Sequence, residues 1–195
     1  MQDTVSKVLA SLARPSGAWR QPPLIAITGL PCTGKTEIAT SLAAHLPLVV
    51  LSTDALRRTY GLPSGPSTHA VMYKVAAMLL DDNVGMILDG IHLGRRHRDE
   101  ARDFARRHGA QCYLLYTTAN EVVIEQRLRA RRVAPAETAA AGKFVMAPDH
   151  FERVRQFLEV PTPDEAVWAI DTSAEPVADL VAPLQQSLGA LLVRD

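Results

Sequence analysis

The chain has 195 residues, which is room for one domain of about 150 residues with a small appendage and too little for two full domains. Its residues are 47% hydrophobic and 22% charged, so the apolar side chains suffice for a packed core, and disorder is excluded as the overall state. Basic and acidic residues number 21 each, which gives zero net charge and excludes a global field that would attract polyanions.

The N-terminal segment carries a short helical pattern before the first strand. Three apolar residues recur there at helical spacing: Val5, Val8 and Leu12. Pro15, Gly17 and the pair Pro22–Pro23 then break any helix. We predict a flap helix within residues 1–22 and a main domain over residues 23–195.

Apolar runs that suit buried strands alternate with stretches of helical spacing. The predicted strands are residues 24–28, 48–51, 86–88, 112–116 and 167–170. The predicted helices are residues 35–46, 70–81, 95–108, 121–132 and 176–192. Because parallel strands need helical crossovers, this alternation predicts an α/β fold with a five-stranded parallel sheet covered by helices on both faces.

One segment breaks the alternation. Between residues 133 and 149 the sequence holds alanine, proline, glycine and a single lysine, with little apolar periodicity. We predict a mobile loop or short lid there.

A phosphate-binding loop follows the first predicted strand and opens the next helix. Its sequence is Gly29-Leu30-Pro31-Cys32-Thr33-Gly34-Lys35-Thr36, which matches G-x-x-x-x-G-K-[ST]. Backbone N–H groups of such a loop surround phosphate oxygens, Lys35 reaches the terminal phosphates, and the Thr36 hydroxyl can ligate Mg²⁺. We therefore predict that these residues bind ATP with Mg²⁺; a glycine-rich turn with a solvated lysine is the alternative.

The other motifs favour a kinase over a switch GTPase or a motor ATPase. The two asparagines, Asn83 and Asn120, precede Val and Glu, so the guanine-reading Asn-Lys-x-Asp segment is absent. The strand at 86–88 ends in Asp89-Gly90 without the Glu that polarises an attacking water. A kinase needs no such water, because its substrate supplies the hydroxyl. Asp89 is a candidate to hold Mg²⁺ through water, with a simple Asp-Gly turn as the alternative.

Asp54 follows the second predicted strand, where open α/β sheets bind ligands. Within reach of an acceptor hydroxyl, its carboxylate could take the proton as the γ-phosphoryl group transfers. Arg57 lies on the same helix face and could hold substrate or phosphate charge. The alternative is that Asp54 only caps the helix that follows.

Two arginine clusters remain. Arg127 and Arg131 are four residues apart on one helix face and could stabilise charge on the transferring group, or could be cations at a helix C-terminus. The helix at 95–108 is rich in arginine, but acidic residues interleave, which favours a solvated face over a nucleic-acid site.

We expect a cytoplasmic protein with reduced thiols. The longest apolar stretches, such as residues 46–51, are far shorter than the roughly 18 residues of a membrane span. Asp3 argues against a basic secretory leader. Cys32 and Cys112 show neither metal-ligand spacing nor a disulfide framework.

The chain resembles the kinase-like P-loop proteins that include polynucleotide kinases, zeta-type toxins, gluconate kinase and chloramphenicol phosphotransferase. The segments that carry the resemblance are residues 29–36, 52–57, 86–93 with Arg96 and Arg98, 125–131 and 161–165. It implies a fold of the nucleoside-monophosphate-kinase type with a short lid. It also implies that Asp54 is the general base, that Arg57 lies near the acceptor, and that Arg127 and Arg131 are lid arginines facing phosphate. The loop around Thr172 would lie near the adenine.

These features favour an ATP- and Mg²⁺-dependent kinase acting on a hydroxyl of a small molecule. A polynucleotide 5′-hydroxyl kinase is the first alternative, because of the arginine-rich helix. A non-catalytic module that uses ATP to engage a partner is the second, because of the flap and Trp19 beside it.

Overall fold

A parallel sheet of five strands forms the centre of the chain in the computed structural model, which describes residues 2–15, 19–90, 92–140 and 145–192. The strands are β1 (Pro23–Thr28), β2 (Leu48–Ser52), β3 (Gly85–Asp89), β4 (Gln111–Thr118) and β5 (Trp168–Asp171). Their order across the sheet is β2-β3-β1-β4-β5, and each neighbouring pair is parallel. The predicted fold class is confirmed.

Nine helices are described around the sheet, together with a 3₁₀ turn at Pro163–Glu165. They are α1 (Gln2–Ser11), α2 (Lys35–Ala43), α3 (Thr53–Tyr60), α4 (Pro66–Asp81), α5 (Arg95–Arg107), α6 (Glu121–Val133), α7 (Pro135–Ala140), α8 (Pro148–Arg155) and α9 (Val177–Gly189). Within the described ranges, no helix combines the length and apolar character that a bilayer span requires.

The segment predicted as a mobile loop or short lid is partly helical, whereas the sequence pattern predicts no helix there. It contains α7 and the start of α8, while residues 141–144 lie outside the described residues. Alanine has the highest intrinsic helix propensity, so an alanine-rich segment can form a helix without apolar periodicity. Proline is tolerated in the first helical turn, and both short helices begin at one, Pro135 and Pro148.

The two faces of the sheet pack against different helices. Leu24 and Ala26 of β1 point into a core shared with α1, α4 and α5, whereas Ile25 and Ile27 point into a core shared with α2 and α9. All six residues of β1 are buried. A strand that is apolar on both faces in this way is typical of a parallel sheet covered on both sides.

The N-terminal helix packs on the sheet domain through apolar side chains. Val5 and Val8 of α1 join the core beneath α4, and the Ser11 hydroxyl lies 2.7 Å from the Tyr60 hydroxyl. Trp19 is only 2% exposed, and its indole N–H donates to the Pro47 carbonyl at 3.3 Å. Residues 16–18 of the predicted flap lie outside the described residues.

A buried ion pair joins α5 to the 3₁₀ turn. Arg98 is 0% exposed, and it donates through Nε and Nη2 to the two carboxylate oxygens of Glu165, each at 2.7 Å. Its Nη1 donates to the backbone carbonyls of Leu93 at 2.8 Å and His92 at 3.3 Å. Nη2 of Arg102 donates to the Glu165 carbonyl at 2.7 Å. The guanidinium of Arg98 is therefore well supplied with acceptors, which a buried charge requires.

Glu165→Gln tests this pair through the stability of the protein. The hydrogen bonds from Arg98 lower the pKa of Glu165 from 4.5 to about 2. The carboxylate therefore stabilises the fold above pH 4.5, and this contribution is lost as the pH falls toward 2. We expect the variant to lose about 3 kcal/mol of unfolding free energy at neutral pH, with a smaller difference from wild type at pH 3, in urea titrations.

Glu100→Gln is the matched control, since Glu100 forms an ion pair with the exposed Arg96 on the same helix. We expect that variant to lose less than about 1 kcal/mol. Equal losses in the two variants, or a Glu165→Gln loss that does not change with pH, would contradict the assignment.

Candidate active site

Three strand ends meet at the carboxyl edge of the sheet. The register pairs Asp89, the last residue of β3, with Ile27 of β1 on one side and Ser52 of β2 on the other. The phosphate-binding loop, residues 29–36, follows β1, and Asp54 follows β2. The sheet thus brings together the three segments that the sequence singled out, at the edge where parallel α/β sheets bind ligands.

The conformation of the phosphate-binding loop requires glycine at two positions. Gly29 has φ +141°, and a Cβ there would lie 2.4 Å from the Thr117 carbonyl oxygen. Gly34 has φ +87°, and its Cβ would lie 3.1 Å from Cγ2 of Thr172. The Thr33 and Thr117 hydroxyls are 2.7 Å apart. The loop is therefore packed against the ends of β4 and β5 as well as its own strand.

Lys35 is partly buried at the start of α2. Its ammonium group donates to the carbonyls of Gly29 at 2.9 Å and Leu30 at 2.8 Å. Burial lowers the pKa of Lys35, and the nearby charge of Arg131 lowers it further, while Asp89 opposes both effects. These contacts hold the Lys35 side chain across the phosphate-binding loop.

Thr36 and Asp89 form the pair best suited to a divalent cation. The Thr36 hydroxyl donates to a carboxylate oxygen of Asp89 at 2.8 Å, and Asp89 is 5% exposed. Hydroxyl and carboxylate oxygens are the ligands that Mg²⁺ prefers, so the donor set fits this ion. In the described part of the chain no group of three or more His, Cys, Asp or Glu side chains could hold a metal. A Mg²⁺ ion would therefore also need oxygen atoms of a nucleotide or water.

Asp54 is not the cap of α3, the helix in whose first turn it lies. The N-cap of α3 is Ser52, whose hydroxyl accepts from the Ala55 N–H at 3.4 Å. The Asp54 carboxylate lies 3.6 Å from the Arg57 guanidinium, and its side chain is 48% exposed. Burial and the neighbouring charge of Asp89 raise the pKa of Asp54, and Arg57 lowers it by a smaller amount.

The two arginines predicted to face phosphate have different surroundings. Arg127 donates through Nη1 to the Cys32 carbonyl at 3.0 Å and the Thr172 hydroxyl at 2.8 Å, and through Nη2 to the Thr172 carbonyl at 2.8 Å. It therefore joins α6 to the phosphate-binding loop and to the loop after β5. Arg131 lines the same cavity as Lys35. That either arginine contacts phosphate stays a prediction.

A cavity of about 820 Å³ connects most of the predicted site residues. Those that line it are Pro31, Cys32, Gly34, Lys35, Thr36, Asp54, Arg57, Asp89, Arg127 and Arg131. Gly29, Leu30, Thr33 and Thr172 lie behind this surface; Leu30 lines a smaller cavity of about 550 Å³ between α6 and α8. The volume is in the range of pockets that hold a nucleotide-sized ligand.

Helices α7 and α8 form a wall of the cavity, and the sequence predicts none of their residues as site residues. The residues of this lid wall include Glu137, Thr138, Asp149, His150, Arg153 and Val154. No periodicity marked the two short helices, so no residue in them was a candidate. The high alanine content of this segment and the prolines at 135 and 148 are the sequence features that indicate helices there.

The arginine-rich helix α5 is largely neutralised. Five of its six arginines form ion pairs with carboxylates: Arg95, Arg96, Arg98, Arg102 and Arg106. His92, in the loop before α5, is 4% exposed, and burial lowers its pKa to about 4. This region therefore resembles an internally paired structural element more than a basic surface.

Comparison with known proteins gives both a family and a fold. Residues 24–154 match a family described as AAA domain. No curated protein matches the sequence.

Several solved structures share the architecture. A gluconokinase from Sinorhizobium meliloti 1021 has a TM-score of 0.61 at 20% identity, over 88% of this chain and 95% of that chain. Kti12 from Chaetomium thermophilum, solved with ADP-AlF3, has a TM-score of 0.69 at 18% identity, over 88% and 100%. The APS kinase CysC from Mycobacterium tuberculosis, solved with AMPPNP and APS, has a TM-score of 0.58 at 18% identity, over 88% and 97%. At these identities the likeness establishes the P-loop kinase fold.

Gly29→Ala tests the packing of the phosphate-binding loop. The new Cβ would collide with Thr117, and the backbone would be strained at φ +141°. We expect a loss of at least about 3 kcal/mol of unfolding free energy, together with loss of binding to a fluorescent ATP analogue. Gly61→Ala is the control: Gly61 also has positive φ, +64°, but nothing lies within 4 Å of its added Cβ. That variant should lose only about 1 kcal/mol and keep nucleotide binding; equal effects would contradict the packing described.

Proposed function

The chain belongs to this AAA-domain family of P-loop kinase-like proteins, and from that premise we propose that it transfers the γ-phosphoryl group of ATP to a hydroxyl of a small molecule. The observation that carries the proposal is the shared cavity. It places the Asp54 carboxylate in one space with Lys35 and with the Thr36–Asp89 pair. A base opposite a phosphate-binding loop is what transfer to a hydroxyl requires.

The phosphate-binding loop marks the side of the cavity that would hold the nucleotide. Its N–H groups and Lys35 would hold the phosphates of ATP. The oxygen atoms of Thr36 and Asp89 would hold Mg²⁺, which, when bound, supplies positive charge next to the phosphate oxygens. Thr172 packs against Gly34, so the loop after β5 would border the nucleoside, with the adenine beside it.

Asp54 would act on the acceptor. Its carboxylate takes the proton of the acceptor hydroxyl while that oxygen forms a bond to the γ-phosphorus. The bond from the γ-phosphorus to the oxygen that bridges it to the β-phosphate breaks, and ADP leaves with the electron pair. Arg57, 3.6 Å from Asp54, would hold the acceptor, and Arg131 would stabilise charge on the transferring group.

The choice of a small acceptor rests on two observations. Two of the structural relatives are kinases named for small molecules, gluconate and APS. The arginines of α5 that motivated a polynucleotide acceptor are mostly paired with carboxylates, which removes much of the free positive charge that nucleic-acid binding needs. The regulatory alternative depends on the N-terminal flap and Trp19, and both Trp19 and the apolar face of the flap helix are packed inside the protein. We place the reaction in the cytoplasm, as a proposal.

Label transfer from γ-labelled ATP with Mg²⁺ tests the proposal. Separate reactions would contain gluconate, APS, a deproteinised extract of small metabolites, and an oligonucleotide with a 5′-hydroxyl. A labelled small molecule would support the proposal, and its identity would give the acceptor. A labelled oligonucleotide would support the polynucleotide alternative instead. Label in neither class, together with ATP-dependent binding to another protein, would contradict the kinase.

Asp54→Asn separates catalysis from nucleotide binding. Loss of the base should reduce the transfer rate by about 100-fold or more. The Kd for a fluorescent ATP analogue should be unchanged within about twofold, because the residues assigned to the nucleotide, the loop 29–36 and Asp89, remain in this variant. Glu37→Gln is the control, since Glu37 is another acidic residue that lines the cavity. A wild-type rate in Asp54→Asn would show that the assigned base is wrong.

The pH dependence of transfer reports the state of the same carboxylate. Burial and the charge of Asp89 raise the pKa of Asp54 above 3.8. The carboxylate is therefore protonated at a higher pH than an ordinary aspartate, and kcat/KM should decrease as the pH drops below this raised pKa. Arg57 lowers the pKa of Asp54, so Arg57→Gln should move the acidic limb of the kcat/KM profile to higher pH. A limb that stays in place or moves to lower pH would contradict the pairing.

A further inference from the structure

Arg98 connects two stretches of chain that border the cavity. The first is the loop after β3, of which Gly90 and residues 92–94 are described. The second is the return segment, residues 159–165, by which the chain leaves α8 and reaches β5. One guanidinium donates to His92 and Leu93 in the loop and to both carboxylate oxygens of Glu165 in the return segment.

Additional hydrogen bonds reinforce the same connection. The N–H of Glu159 donates to the Leu93 carbonyl at 3.0 Å, and the Glu159 carboxylate accepts from the Arg95 N–H at 2.7 Å. Arg95 also forms an ion pair with Asp164 at 2.8 Å. The two stretches are therefore joined at both ends of the return segment, with the buried Arg98–Glu165 pair at one end and Glu159 at the other.

Each joined stretch leads directly into a wall of the cavity. Gly90, at the start of the loop, lines the cavity beside Asp89. The return segment follows α8, which contributes Asp149, His150 and Arg153 to the lid wall. A displacement between the loop and the return segment would therefore change the distance between the Gly90 wall and the lid wall.

The nucleotide side of the cavity is held by different contacts. The phosphate-binding loop is packed against Thr117 and Thr172, and Arg127 joins it to the loop after β5. None of these contacts involves Arg98. The His92 carbonyl that accepts from Arg98 also accepts from the Thr28 hydroxyl at 2.8 Å, and that bond to the end of β1 remains when Arg98 is changed. A change at Arg98 should therefore affect the acceptor side and leave nucleotide binding in place.

We propose that Arg98 and Glu165 are positioning residues for the acceptor: by joining the loop after β3 to the return segment, they set the width of the cavity between Gly90 and the lid wall. The inference rests on the proposed kinase function. Lysine cannot reproduce the arrangement, because its single ammonium group lacks the planar fork that reaches two carboxylate oxygens and two carbonyls at once. A buried ion pair is by itself weak evidence that the pair serves stability. The bonds of Arg98 to two separate stretches indicate that the pair fixes the position of one stretch relative to the other.

Arg98→Lys and Arg96→Lys form a matched pair of variants for the kinetic test. Both are the same change on α5, but Arg96 is 87% exposed in its side chain and pairs only with Glu100 among the ion pairs described. With the acceptor identified by label transfer, we expect Arg98→Lys to raise the acceptor KM by about tenfold, with the KM for ATP unchanged within about twofold. Arg96→Lys should leave both values unchanged.

Amide hydrogen exchange gives a second readout that needs no acceptor. In Arg98→Lys, the peptide spanning residues 92–95 and the peptide spanning 156–165 should exchange about tenfold faster than in wild type, with residues 29–36 unchanged. If wild type transfers no label, the proposed kinase function fails, and exchange alone then decides whether Arg98 joins the two stretches. Faster exchange in all three regions would indicate general destabilisation and overturn the inference, as would equal increases in both KM values.

Glu159→Ala provides the test if Arg98→Lys does not fold. Glu159 is exposed, and its side chain holds the outer end of the same connection. We expect a smaller change in the same direction, about twofold to threefold in the acceptor KM and in exchange at residues 92–95. Glu100→Ala, an exposed carboxylate on α5, is its control. No change in Glu159→Ala relative to Glu100→Ala would overturn the inference.

Discussion

The parallel pairing of β1, β2 and β3 is the constraint on which the candidate site depends. It places Asp89 beside Ile27 and Ser52, so the segments that follow the three strands converge at one edge. A shift of the register by one residue would turn the side chains of β3 to the opposite faces, moving Asp89 away from Thr36 and burying it in a core layer. Because β1 is apolar and buried on both faces, it is the polar residue at the end of β3, Asp89, that distinguishes this register from a shifted one.

Local patterns predicted the parts of the molecule whose causes are local. The strand around Ile25, the loop ending in Lys35–Thr36 and the position of Asp54 are each visible in a short window of sequence. The helices of the lid wall were missed, because their alanines have high helix propensity but form no apolar stripe. Apolar periodicity marks a helix that buries one face in a core. These short helices instead border a cavity, so they carry no such pattern.

Contacts between distant residues explain the rest. The interleaved acidic residues of α5 predict a solvated face for its arginines, which is wrong for Arg98, because Arg98 is buried against Glu165, 67 residues away in the chain. The resemblance implies that Arg127 faces phosphate, which stays a prediction, and the structure adds that its guanidinium contacts Cys32 and Thr172. A single sequence shows how many cations a helix carries, whereas their partners depend on the tertiary fold. Such pairs distinguish a cation that organises the backbone from one that is available to a ligand.

The central claim is that Asp54 acts as a base in a direct transfer, so the reaction passes through one displacement at phosphorus. The stereochemistry of that displacement tests it most directly, with ATP made chiral at the γ-phosphorus by oxygen isotopes and the phosphorylated acceptor as product. A single in-line transfer predicts inversion of configuration at phosphorus. Retention would require two displacements and a phosphorylated enzyme, and it would contradict the role assigned to Asp54.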